Sequence, residues 1–286
     1  MTRMEEFRQQ MAARMEALRT GGTDAGGQQS SAAASRLDAT SQATAYLTPT
    51  MEEFQQWWDA VRGSMHVKMN ESYNAAAAKV KFQYLSDDDQ INAGAGRAQD
   101  GDGYVIVFYG GAVRFSRLAS LAVAVDMCGR PGTASRFAKT IDTEGKMSRK
   151  MALELMSDCG LDEAFSIPGV RTKAQAVSAG MIIGILAHEM GHICLGHVNG
   201  PNYYETNLEI ARNHEREADS FASSITAATP FGEYVYEGTL FWHYVLAQQQ
   251  GNDAVESTHP LERERLENLI RANSTKASAL GIAMPR

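Results

Sequence analysis

Ala187-His188-Glu189-Met190-Gly191-His192 closes a long apolar run and contains His-Glu-x-x-His. Residues four apart lie on one face of a helix, so His188 and His192 can bring two imidazoles to one ion, a turn apart. Glu189 is offset by ~100° around the axis. There a carboxylate can hold a water that the ion also holds. Two neutral nitrogen ligands, one base and an open coordination position are the parts of a zinc hydrolase.

Such a site needs a third ligand. Glu215 lies 23 residues past His192, in Asn213-His214-Glu215-Arg216-Glu217-Ala218-Asp219. Asn199-Gly200-Pro201 stops the first helix, because Gly ends helices and Pro cannot continue them. Helical patterning resumes near Glu205, so a short loop joins two antiparallel neighbours. At ~1.5 Å per residue, counting down one helix and up the next returns Glu215 to the level of the histidines. Ala211, Ala218 and Ala222 share its face and let the helices come close. Asp219, one turn further, is placed to accept the second ring N–H of a ligand histidine, His188 being the expected one. Taken singly, a histidine pair is often a surface feature and Glu-x-x-x-Asp a solvated acidic face. It is their order and spacing together that point to a metal centre. Two rival ligands exist. His197 stands nine residues after His188, one short of the metzincin spacing, and on a continuous helix it would point away. His214 adjoins Glu215, but Glu215 fits the Glu-x-x-x-Asp spacing. Cys194 lies on another helix face, as a core residue, and His66 and His243 have no evident partner.

Composition narrows the rest. The 286 residues suffice for one large domain or two small ones, and 44% hydrophobic content supports a core. With 27 basic and 34 acidic residues the net charge is −7, which argues against nucleic acid or an anionic membrane as the main partner. Cys128, Cys159 and Cys194 lack Cys-x-x-Cys spacing and read as free thiols in a reducing compartment. The apolar stretch Ala174 to Ala187 has 14 residues, fewer than the ~20 that span a bilayer. No apolar signal core opens the chain. A cytoplasmic protein without a transmembrane segment is expected.

Residues 1–19 read as an amphipathic helix through Met4, Phe7, Met11, Met15 and Leu18, suited to docking on the body or on a partner. Residues 20–45, rich in Gly, Ser, Ala, Gln and Thr, read as a flexible linker. Residues 46–286 would form the main domain. Thr50-Met51-Glu52-Glu53 is a capping box opening a helix that runs to about Ala78, with Phe54, Trp57, Trp58 and Val61 as its core face. Val80, Phe82 and Tyr84 alternate as a strand. Gln90–Gly96 is a weaker one because of its glycines, and Tyr104–Tyr109 is a strong one. Helices follow at about 112–127, 148–158, 172–198, 205–228, 233–249 and 261–273. The expected class is α+β, mainly helical, with a small antiparallel sheet of about three strands.

His188-Glu189-Met190-Gly191-His192, Glu215-Arg216-Glu217-Ala218-Asp219 and Thr258-His259-Pro260 with Arg265 together resemble the CAAX prenyl protease and HtpX-type zinc metallopeptidases. These are gluzincins, with His, His and Glu as zinc ligands. Ile91-Asn92-Ala93, a Gly turn and Tyr104-Val105-Ile106-Val107-Phe108 are similar to that family's edge-strand region. The resemblance covers about residues 75 to 270, with a gap. It implies a zincin-type fold and one Zn2+ per chain on His188, His192 and Glu215, with Glu189 as general base. Asp219 would be an outer partner of the ligands. The strand around Asn92 and Ala93 would receive an extended peptide by strand addition. His259 would sit on a loop near the ion, with Arg265 on the following helix. The sequence departs from the pattern at Gly94, where an aromatic is common, in residues 130–171, which read as an insertion, and in lacking transmembrane helices.

The expected function is a zinc metalloendopeptidase that cleaves unfolded or extended polypeptides through a metal-bound water activated by Glu189. The oxyanion needs a further donor, for which His259, Arg265, Tyr203 and Tyr204 are available. The resemblance ranks His259 first, although a His-Pro turn residue is its plain alternative. Two other functions use the same residues. One is a non-catalytic or chaperone-like metal-binding adaptor reached through the N-terminal helix. The other is a small-molecule amidase.

Overall fold

Thr50 and Glu53 form the reciprocal cap that their spacing predicts: Thr50 N–H donates to Glu53 Oε2 (2.9 Å), and Glu53 N–H to Thr50 Oγ1 (3.2 Å). This cap opens α1 (Met51–Lys68) in the computed structural model, which describes residues 41–68, 70–99, 101–141, 145–199, 207–227, 232–249 and 262–272. Phe54, Trp57, Trp58 and Val61 are buried, as a core face should be. The helix does not run on to Ala78. Asn70 accepts a hydrogen bond from Tyr73 N–H (3.0 Å) and starts a separate α2 (Glu71–Ala78). The packed body also begins before residue 46. Residues 41–47 are helical, and Ala43, Tyr46 and Leu47 are buried. They are held because Tyr46 OH donates to the Arg117 carbonyl (3.0 Å), while the buried Arg117 guanidinium donates to the Tyr46 carbonyl and to Glu53. The expected N-terminal helix and most of the linker lie outside the described residues.

The sheet holds β1 (Val80–Leu85), β2 (Ala93–Arg97) and β3 (Tyr104–Tyr109) in the order β1-β3-β2. It is mixed, which corrects the antiparallel expectation. Ala93 on β2 faces Phe108 antiparallel, whereas β1 runs parallel to β3 with Val80 opposite Tyr104. The reason is burial. β3 is the most apolar strand, its Ile106 and Phe108 have no exposed surface, and so it takes the central place. The glycine-bearing β2 is left at an edge. Arg114, itself buried, clamps the approach to β2. Its guanidinium donates to the carbonyls of Ser86, Asp88 and Met147 and to Asp89 Oδ1, at 2.6–3.2 Å.

The rest is helical: α3 (Gly110–Met127), α4 (Thr133–Thr140), α5 (Arg149–Asp158), α6 (Val170–Cys194), α7 (Leu208–Thr226), α8 (Gly232–Gln249) and α9 (Glu262–Ala272). Residues 130–171, read as an insertion, belong to the core through Phe137, Met147, Met156 and Leu161. The central element is α6. Its N-terminal half packs into one apolar cluster with α3, α4, α5 and α8. Its C-terminal half packs into a second with α1, the sheet and α7. By length and composition α6 could cross a bilayer, but 78% of its most apolar window is buried in the protein, which accounts for its apolarity. α8 crosses α6 in close contact: a Cβ on Gly180 would come 2.2 Å from the Tyr234 carbonyl oxygen. Gly180→Ala would gain ~1 kcal/mol of helix propensity, but backbone cannot yield as a side chain can. A net loss of about 1–3 kcal/mol is expected, read as a lower urea midpoint at unchanged m-value.

Candidate metal centre

Gly191 sets the distance between α6 and α7. A Cβ there would meet the Cα of Ala218 at 3.1 Å, closer than an ordinary contact, so the glycine lets α7 approach without either backbone having to give. Glu215, one turn before Ala218, is thereby brought against the two histidines. His188 Nε2 and His192 Nε2 are 3.1 Å apart. Glu215 presents Oε2 at 3.2 Å from the first and Oε1 at 3.5 Å from the second. Ligands ~2.0–2.1 Å from a tetrahedral ion are about 3.4 Å from one another, so the triangle has the size of one face of such a site. Among the described residues these three form the group able to hold a metal ion.

Each imidazole has a partner behind it. His188 Nδ1 lies 2.8 Å from Asp219 Oδ1, and Arg265 on α9 donates to both oxygens of Asp219, through Nε at 2.9 Å and Nη2 at 2.6 Å. Burial works against a charged His188, but hydrogen bonds to Asp219 and Glu215 and the charge of Asp219 push its pKa up to about 10. Burial likewise opposes a charged Asp219, and Arg265 together with His188 still holds its carboxyl far below the usual range. His192 Nδ1 faces His197 Nδ1 at 3.1 Å, and His197 Nε2 faces Glu217 Oε2 at 2.9 Å. His214 stacks on the His197 ring at 4.0 Å and 12°. Burial and the neighbouring His214 draw the His197 pKa below its ordinary value, against the opposing pull of Glu217.

The sequence reading missed the pair His197 and Glu217 because it carried α6 through residue 198. The helix ends at Cys194, Gly196 adopts a left-handed φ of 81°, and a 3-10 turn (His197–Asn199) folds His197 back behind His192. The signal was available: Gly just past a helix end is the usual C-terminal stop. His197 thus stands at the far side of the His192 ring from the triangle, with Glu217 behind it and the His214 ring stacked on its face.

The triangle opens on a cleft of about 570 Å³. Glu189, buried with 8% of its surface exposed, lines it beside His188 and Glu215. Ile91, Asn92 and Ala93 form another wall, and Trp242 and the buried His243 contribute from α8. The Asn92 carbonyl accepts from Tyr109 N–H of β3 (3.2 Å), so across the trans peptide Ala93 N–H points to the open edge. There it donates to Asn92 Oδ1 at 2.9 Å. A Cβ on Gly94 would meet nothing within 4 Å. A side chain at this position would therefore start without a clash. Arg265 lines the cleft while braced by Asp219. Cys128, Cys159 and Cys194 are free thiols, and Cys194 Sγ lies 3.8 Å from the Tyr73 carbonyl. His259, Tyr203, Tyr204 and the side chain of His66 lie outside the described residues.

No family model, characterised protein or solved structure matches the chain.

Proposed function

We propose that the protein is a zinc-dependent metalloendopeptidase of the gluzincin type, built on a zincin-like helical domain. The observation that carries this reading is the triangle of His188, His192 and Glu215, sized for one ion and set in a cleft with Glu189 beside it. Two imidazoles and a carboxylate at the wall of the cleft are a donor set that would suit catalytic zinc. When bound, the ion supplies Lewis acidity to the scissile carbonyl and makes water more acidic. Glu189 accepts the proton of the attacking water and returns it to the leaving amine, so the carboxylate ends the cycle as it began. Asp219 and Arg265 hold the His188 ring in place. Arg265 spends Nε and Nη2 on Asp219, which favours a bracing role over that of oxyanion donor and leaves His259 as the donor suggested by the family resemblance. The open edge of β2 suits an extended or unfolded polypeptide, whose carbonyl would take over Ala93 N–H from Asn92.

The test is metal content by elemental analysis on wild type and Glu215→Ala, with casein hydrolysis measured with and without chelator. One zinc per wild-type chain, substoichiometric metal in the variant and chelator-sensitive cleavage are expected. A stoichiometric ion with no cleavage of casein would instead support the adaptor reading. Cleavage of short amides independent of chain length would support the amidase.

A further inference from the structure

We propose that His197 and Glu217 are positioning residues that set the tautomer of His192, an inference that rests on the metal-centre reading above. The carboxylate of Glu217 can only accept hydrogen bonds. Facing it at 2.9 Å, Nε2 of a neutral His197 must carry the ring proton. His197 Nδ1 is then a lone pair, and His192 Nδ1, 3.1 Å away, must be the donor. That leaves His192 Nε2 as a lone pair on the side of the ring that faces Glu215 and His188. This is the tautomer a metal ligand needs.

The chain of contacts has the burial that such a role requires. His192 and His197 are 4% and 7% exposed, so bulk water does not readily replace either partner. The stacked His214 ring holds the plane of His197. Glu217, with 61% of its side chain exposed, is the outer end and the solvent-facing anchor. The two ligand histidines are therefore oriented from the same turn of α7 by unequal means. Asp219 reaches His188 directly, while Glu217 reaches His192 through an inserted imidazole. A space-filling role for His197 would need none of this proton order.

The test is Zn2+ affinity of the metal-free protein, by chelator competition, for wild type, His197→Leu, His197→Gln and Glu217→Ala. The His192 ring-nitrogen shifts are followed in parallel by long-range ¹H–¹⁵N NMR without metal. His197→Leu is expected to bind Zn2+ about 10–100-fold more weakly. His197→Gln, whose carbonyl oxygen can accept from His192 Nδ1–H, should recover most of that loss. Glu217→Ala, a change at an exposed side chain, should lose a few-fold. Wild-type His192 should show the Nδ1–H form, and His197→Leu a mixture. Equal affinity of His197→Leu and wild type, equal loss in the Leu and Gln variants, or an Nε2–H form in wild type overturns the proposal. If a His197 variant does not fold, Glu217→Ala and the wild-type tautomer decide. Wild type that binds no Zn2+ defeats the metal-centre reading instead, and the NMR result still judges the tautomer.

Discussion

Glu189→Gln is expected to keep its zinc and lose hydrolysis by about 10²–10⁴-fold in kcat. The two side chains have nearly the same shape, and Gln can still hold a water through its carbonyl oxygen. It cannot accept a proton at neutral pH. The three donors of the metal triangle do not include Glu189, so the substitution leaves the ligand set whole. Elemental analysis should return one ion per chain in both proteins. A fluorogenic peptide should separate them, with the loss falling on kcat and little change in KM, because the missing interaction belongs to the transition state. A variant with hydrolysis within tenfold of wild type would remove Glu189 from the proton transfer. The reaction would then need another base in the cleft, and the buried His243 is one titratable group that lines it.

The parts of this centre legible in the sequence are those set by local geometry. His188 and His192 share a helix face wherever they stand in a helix, and Thr50 with Glu53 cap a helix through neighbours alone. The parallel pairing of β1 with β3 is not local. Both strands alternate as strands should, and only competition for the buried central position puts Tyr104–Tyr109 between the other two. Nor could the break at Asn70 be read from hydrophobic spacing, since Ala75, Ala76 and Ala77 continue a helical pattern and it is the Asn70 side chain that restarts the helix. The segment 130–171 carries no motif, yet it buries Phe137 and Met147. Its role comes from partners far along the chain, among them Arg114, which donates to the Met147 carbonyl. Carrying a helix four residues too far turned His197 from a neighbour of His192 into a residue on the wrong face, although Gly196 marks the turn.

Zinc affinity of the metal-free protein is expected to climb about tenfold per pH unit from pH 6.5 toward pH 10. His188 has an ordinary pKa of 6.5 and is pushed up to about 10 here. An ion held by His188 would use its Nε2 lone pair, so below about pH 10 a proton would have to leave for each ion bound. Between the two values proton competition therefore weakens binding progressively as the pH falls. Stability of the metal-free fold runs the other way. A raised pKa means that the contribution from charged His188 is fully present below its unfolded value of 6.5 and is lost as pH rises through about 10. Chelator competition at several pH values, with proton release measured in weak buffer, reads the first curve, and urea unfolding of the metal-free protein reads the second. Asp219→Asn is the decisive control. It removes the strongest group raising the His188 pKa and leaves Arg265 without that carboxylate, so burial and Arg265 then favour neutral His188 and Glu215 alone opposes them. The variant should start its rise in affinity at a lower pH and flatten sooner, even as it loses the brace that orients the ring. A wild-type affinity flat between pH 6.5 and 9, or a slope that Asp219→Asn leaves unmoved, would mean that the proton on His188 is not what the metal displaces.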